Sequence, residues 1–354
     1  MNSRHSAIFV ALAAAALFGA ATPLAKALIG AMSPFMVAGL FYFGSGVGLG
    51  IGILLRGWHS RRASAADAAP LQRAGLPWLA GAIAAGGVAG PALLMLGLSS
   101  TPAATSALLL NLEGVLTAVI AWVVFRENVD TQVFLGMVAI VAGGTLLSWT
   151  PGSRAGVPVG ALLIVGACLC WAVDNNLTRK VAANDAMVIA CMKGLIAGPV
   201  NIGIALAAGA TLPALPVAAA AMLTGLGGYG ISLVLFVVAL RHLGSARTGA
   251  YFSVAPLFGV ALSLLIWPAL PPATFWIAAA LMALGLWLHV RERHEHTHVH
   301  ERLEHTHRHR HDDHHQHAHD FPYDGAEPHT HPHVHLPITH SHAHFPDIHH
   351  RHRH

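Results

Sequence analysis

The chain has 354 residues, 55% of them hydrophobic and only 10% charged, with a mean hydropathy of +0.57. A soluble globular domain, a disordered chain and a fibrous repeat all fit that balance poorly, and a membrane protein is the class that remains. The histidines are unevenly placed, with 24 of 27 between His289 and His354. Residues 1–290 carry net charge +7 and residues 291–354 carry −3, so an apolar basic part and a polar acidic tail share one chain. No soluble face with clustered Lys and Arg offers a nucleic-acid footprint. Cys168, Cys170 and Cys191 lie in apolar stretches as small hydrophobes and define no disulfide framework.

A bilayer core takes about 20 consecutive, mostly apolar residues per helix. Runs of that kind predict ten helices, near 7–29, 34–55, 75–98, 102–125, 131–149, 157–178, 186–208, 216–240, 247–267 and 271–290. The first has some features of a signal peptide, since Arg4 precedes an alanine-rich stretch containing Gly19-Ala20-Ala21. Orientation and repetition both argue against cleavage. With the N-terminus in the cytoplasm, the inside connections collect 17 of the 20 basic residues, among them Arg56, Arg61, Arg62, Arg73, Arg126, Arg179 and Lys180. Arg154 and Lys26 fall outside, and the positive-inside rule puts both termini in the cytoplasm of an inner-membrane protein.

The repetition is internal. Phe18 to Lys26 aligns with Trp171 to Arg179, Pro34 to Ala38 with Ala186 to Ala190, and, at an offset of 142, Leu98 to Ala118 with Leu240 to Val260. Each half holds five spans, an odd number, so the second half enters the membrane inverted. Halves related in this way form many secondary transporters, with the substrate site near the midplane between them. The expected fold is therefore an all-α membrane protein of ten transmembrane helices in two inverted five-helix repeats, residues 1–150 and 151–290. A disordered His-rich tail, residues 291–354, follows.

Ionisable groups inside a span are costly and mark function by default. Glu113, Asp174 and Lys193 are the clear cases. Asp174 and Lys193 each lie about 10 Å from the cytoplasmic end of adjacent antiparallel spans, at ~1.5 Å per residue, and are able to pair. That pair reads either as a salt bridge orienting two helices or, with Asn175 and Asn176, as part of a polar solute site. Glu113, beside Asn111 near the middle of span four, is the deeper acid and the candidate for proton coupling, against the alternative of a hydrogen bond between helices. Asn201 shares the site only if it lies on the face of Lys193. Gly44, Gly48 and Gly52, with a parallel row at Gly46 and Gly50, form a small-residue pattern for close helix packing. Pro23, Pro91, Pro199 and Pro256 fall inside spans and free carbonyls there. Residues 1–290 contain no HExxH, GxSxG, P-loop or CxxC motif, so no enzyme class is indicated there.

Ten spans in a five-plus-five repeat, with Trp171 in span six, Arg126-Glu127 after span four, Pro256 in span nine and a short turn between spans three and four, resemble the EamA family of the drug/metabolite transporter superfamily. The resemblance covers roughly residues 7–290. It implies a transporter of small solutes, with export the expected direction. The family's basic residue in the second helix of each repeat appears only as Lys193, with Phe41 in the first half. Its acidic residue after the fourth helix appears as Glu127, with Ala269 in the second half.

After Val290 histidines alternate with other residues: His294, His296 and His298; His305, His307 and His309; His331, His333 and His335; His340, His342 and His344. Such a tract cannot bury a core, and imidazole suits Zn, Ni, Co or Cu. The tail reads as a metal buffer, an adventitious chelator, or a segment that charges on mild acidification. The partners expected are the lipid bilayer, a small solute and divalent metal ions, with a homodimer left open, and no cofactor is required. Two further functions stay open: a divalent-metal transporter, and a membrane-anchored metal sensor or buffer.

Overall fold

A computed structural model describes residues 3–59, 75–125, 131–148, 158–178, 185–243, 251–252, 254–290, 295–300, 303–309, 329–335 and 338–343. They divide into two units, residues 1–292 and 293–354. Among the described residues, seven helical stretches are long and apolar enough to cross a membrane: Ser6–Ile29, Pro34–Leu55, Leu76–Ser100, Ala103–Val124, Val159–Thr178, Met187–Ala207 and Leu215–Ala239. Three shorter apolar helices, Phe134–Ser148, Ala255–Ile266 and Ala273–Leu288, coincide with the expected fifth, ninth and tenth spans. Large apolar side chains stand far out of the bundle, with Leu54 74%, Leu215 81% and Leu265 79% exposed. A surface of that kind suits hydrocarbon rather than water, and the chain is a multi-pass membrane protein.

Helix α1 (Ser3–Ile29) and helix α2 (Pro34–His59) form the first hairpin. Pro34 fits the first turn of α2, where its missing N–H is no loss, and Ser33 Oγ accepts from the Met36 N–H at 3.3 Å. The glycines of α2 divide by face. Gly44 and Gly48 lie against Met222 and Leu226, whereas Gly46 and Gly50 lie against Leu195 and Cys191. Each row thus seats a different helix, the packing role expected of small residues spaced by four.

The third span is not one regular helix. It runs as α3 (Leu76–Ala82), a π-helical turn at Ile83–Ala89 and α4 (Gly90–Ser100). Pro91 explains the widening, because its ring would strike the carbonyl four residues back and it has no N–H to donate there. The Gly90 N–H bonds Ala85 O, five residues back, so the carbonyls of Gly86 and Gly87 are released. Both are reclaimed by side chains from other helices. Tyr42 Oη and Trp171 Nε1 donate to Gly86 O at 2.8 and 2.9 Å, and Asn201 Nδ2 donates to Gly87 O at 3.1 Å. Every freed acceptor has a partner, as a water-free interior requires.

The fourth span breaks at Leu110–Asn111 between α5 (Ala103–Leu109) and α6 (Leu112–Phe125). Helices α7 (Thr131–Ser148), α8 (Val159–Thr178) and α9 (Ala186–Ala207) follow, the last capped by Asp185, whose carboxylate accepts from the Met187 N–H at 2.8 Å. The expected eighth span, the last of the seven long stretches, repeats the irregularity of the third, with α10 (Leu215–Gly225), a π turn at Leu226–Ile231 and α11 (Ser232–Leu243). Here the Ser232 hydroxyl donates to the released Gly228 carbonyl. Val254 is a turn residue before α12 (Ala255–Ile266), and α13 (Ala273–Val290) ends the bundle. The main core lies where α1, α2, α4, α5, α8, α9 and α10 meet, around Met36, Phe41, Leu94, Leu98, Leu109 and Ile164. A second core, with Val115, Ile140, Val260, Phe275 and Met282, joins α7 and α13 to α6 and α12.

In the second unit, β1 (Glu295–His300) pairs antiparallel with β4 (Ile338–Ala343), and β2 (Leu303–His309) with β3 (His329–His335). The ladders differ from the disorder expected of the tail. Composition indicates only that no core forms there, while the alternation of histidine with other residues has the period of two that a strand uses. His294 and His344 lie outside the described residues, as do Arg126 and Glu127.

Candidate functional site

Glu113 is the second residue of α6, where the fourth span restarts inside the bundle. The Glu113 N–H is bonded to the Leu110 carbonyl at 3.1 Å across the break, and the partial positive charge of a helix start is a favourable place for a carboxylate. Thr117, four residues on, shares its face. The last turns of α8 meet this face with two amides. Asn175 Nδ2 donates to Glu113 Oε1 at 2.9 Å and to Thr117 Oγ1 at 3.3 Å, and Asn176 Nδ2 donates to the Thr117 carbonyl at 3.3 Å.

Asp174 precedes Asn175 by one residue and so looks about 100° away around α8, toward α9 and the π turn of the third span. Lys193 Nζ reaches Asp174 Oδ1 at 2.5 Å, as the spacing of the two residues from their helix ends suggests. Thr178 completes a triangle, with its hydroxyl 2.7 Å from the same oxygen and 2.9 Å from Lys193 Nζ. Asp174 is 7% exposed. A Cβ on Gly86 would collide with the Asp174 carboxylate, so glycine is what lets the π turn close over the pair.

Four of the six candidate residues in the bundle therefore converge around α8 in two contacts, Glu113 with Asn175 and Asp174 with Lys193, and Asn176 joins through Thr117. Asn111 does not. Its amide donates to Leu108 O at 2.9 Å, and it lines a void of about 10 Å³ with Pro256 and Met282, room for at most one water. Asn201 is fully buried and serves Gly87 O rather than Lys193, while its Oδ1 finds no partner among the described residues. No group of three His, Cys, Asp or Glu side chains able to hold a metal is found among the described residues.

Sequence reasoning missed three contributions. Thr117 and Thr178 supply hydroxyls to both contacts, and their spacing of four from Glu113 and from Asp174 was the available signal. Lys26, near the end of α1, is the third, because its ammonium donates to the carbonyls of Leu98 and Ser99 at the end of α4. It also lines a cavity of about 540 Å³, which shares no residue with the Glu113 and Asp174 contacts.

Residues 5–149 and 158–291 each match the EamA-like transporter family. An uncharacterized transporter of Methanothermobacter thermautotrophicus is 29% identical over 189 residues, 51% of this chain and 54% of the relative. The uncharacterized transporter YyaM of Bacillus subtilis is 23% identical over 186 residues, 49% of this chain and 59% of the relative. The chain thus aligns with little more than half the length of these curated relatives. A solved structure described only as the crystal structure of a protein is similar in fold, with a TM-score of 0.56 at 20% identity over 81% of this chain and 96% of the other. With both halves matched, the chain belongs to the EamA-like transporter family.

Proposed function

We propose that the protein is an inner-membrane secondary transporter that exports a small solute by alternating access between two inverted halves, residues 1–150 and 151–290, with Glu113 as the proton-coupling group. The observation that carries this reading is the Glu113–Asn175 contact at the restart of a broken span. A carboxyl held there by one neutral amide is able to take up and release a proton, and an amide partner serves both forms. Recurrence supports the repeat. The π turns at Ile83–Ala89 and Leu226–Ile231 fall at the 142-residue offset to within one residue, and the interruptions at Leu110–Asn111 and Val254 to within two. Irregular backbone at corresponding depths in both halves suits a bundle whose halves rock about a shared site. The basic connections favour a cytoplasmic position for both termini.

The test is reconstitution of the full chain in vesicles loaded with a pH-reporting dye, challenged with amino acids, nucleosides and organic cations. At least one solute class should move protons in the native protein. Glu113→Gln should remove the proton signal while solute counterflow persists. A variant that still moves protons as the native chain does removes Glu113 from the coupling role.

A second reading has transition metal as cargo or regulator. It is favoured by the register of the tail ladders, which sets His296 opposite His342, His298 opposite His340, His305 opposite His333 and His307 opposite His331. Pairs of imidazole-bearing positions at that spacing suit Zn, Ni, Co or Cu. We assign metal to the tail and the solute to the bundle.

A further inference from the structure

The cavity beside Lys26 lies at the end of the bundle that carries the turns after α1, α4 and α12. Its walls are mostly apolar, with Leu147, Leu264, Leu270 and Phe275, and its volume of about 540 Å³ is that of a site for a small organic molecule. Leu270 is 96% exposed at the rim and Trp267 39%, the placing of an aromatic at a membrane–water boundary. One charge faces this apolar space. Lys26 spends two of its three donors on the carbonyls of Leu98 and Ser99, leaving one N–H for the cavity it lines. Among the described residues the ion pairing is that of Lys193 with Asp174, so Lys26 meets no carboxylate. A capping role for the end of α4 explains its two backbone bonds. It does not explain the open apolar volume in front of the third N–H.

We propose that this cavity binds an amphipathic anion, with a carboxylate or phosphate head on Lys26 and an apolar body against Leu264, Leu270 and Phe275. The proposal is independent of proton coupling at Glu113 and of the direction of transport. The occupant is either a free amphiphilic solute or an anionic lipid of the bilayer.

The test uses the full chain in nanodiscs of phosphatidylcholine, with empty nanodiscs subtracted. Laurate is titrated as the probe and dodecanol as its uncharged counterpart, followed calorimetrically. Laurate should bind saturably and at least about tenfold more tightly than dodecanol. Lys26→Met should abolish that preference and Lys26→Arg should restore it. Thr274→Trp, at an exposed position of the rim, keeps the ammonium but fills the mouth and should remove binding of both probes. Because Lys26→Met also uncaps α4, the Thr274→Trp protein, melting as the native chain does, provides a separate check. Phosphatidylglycerol added to the nanodiscs distinguishes the sources. Competition that weakens laurate binding in the native chain marks a lipid occupant, and unchanged binding marks a free solute, both within the proposal. Equal affinity for laurate and dodecanol, or native laurate binding in a folded Thr274→Trp protein, overturns it.

Discussion

Asp174, Lys193 and Thr178 form a closed triangle in which each group satisfies the other two, and such a unit fails when one member is removed. Leaving one charge buried without its partner costs about 3–5 kcal/mol, whereas replacing both ions with apolar groups of similar size is often neutral. We therefore expect Asp174→Leu and Lys193→Met each to lower the melting temperature of the purified protein, and the double variant to recover most of the loss. Solute flux decides what the pair is for. Recovery of flux with stability in the double variant makes it a strut between α8 and α9, while stability without flux makes it part of the path. This pair was legible in the sequence because depth along two neighbouring spans is simple arithmetic. Lys26 was not, since its role depends on where the end of α4 arrives, 72 residues further along the chain.

At the scale of elements, the apolar runs were legible because hydrocarbon demands length and lack of charge, and those two properties are written in composition. The interiors of the spans were less so. Pro91 and Pro256 announce an interruption, but the π turn in the eighth span has no proline and shows only in the backbone, with Ser232 covering the carbonyl it frees. The two glycine rows of α2 were legible as packing, though not which helix each row would meet. They make a sharp prediction. A Cβ on Gly46 would stand 2.5 Å from the Leu195 nitrogen, so the backbones of α2 and α9 must part to admit any side chain, whereas nothing lies within 4 Å of a Cβ on Gly52. Gly46→Leu should destabilise the bundle by at least the ~1–3 kcal/mol of an overpacked core. Gly52→Leu, on the same helix and with the same added volume, should melt as the native protein does. Thermal melting in detergent checks both, and equal melting of the two variants would mean that α2 and α9 are not in the close contact described.

The whole molecule joins a helical bundle to a polar tail, and the two follow different physics. The bundle is held by burial among its helices and by the lipid around its exposed leucines. Among its described residues the tail has the ladders between β1 and β4 and between β2 and β3, whose isolated two-stranded form is marginal in water without something to hold it. A metal ion bridging opposed histidine positions would supply that, and binding to the paired form alone stabilises it by mass action. Removal of residues 291–354 should therefore leave the melting of the bundle and the solute flux unchanged while abolishing tail-dependent retention of zinc, nickel, cobalt or copper in cells expressing the chain. Elemental analysis of cells carrying the full chain, the truncation and Glu113→Gln separates the functions. Metal retention that disappears on truncation and persists in Glu113→Gln assigns the metal to the tail. Retention that reverts in Glu113→Gln, with the tail intact and the protein made at the native level, sends the metal through the bundle and makes it the cargo, because the substitution leaves every histidine of the tail in place.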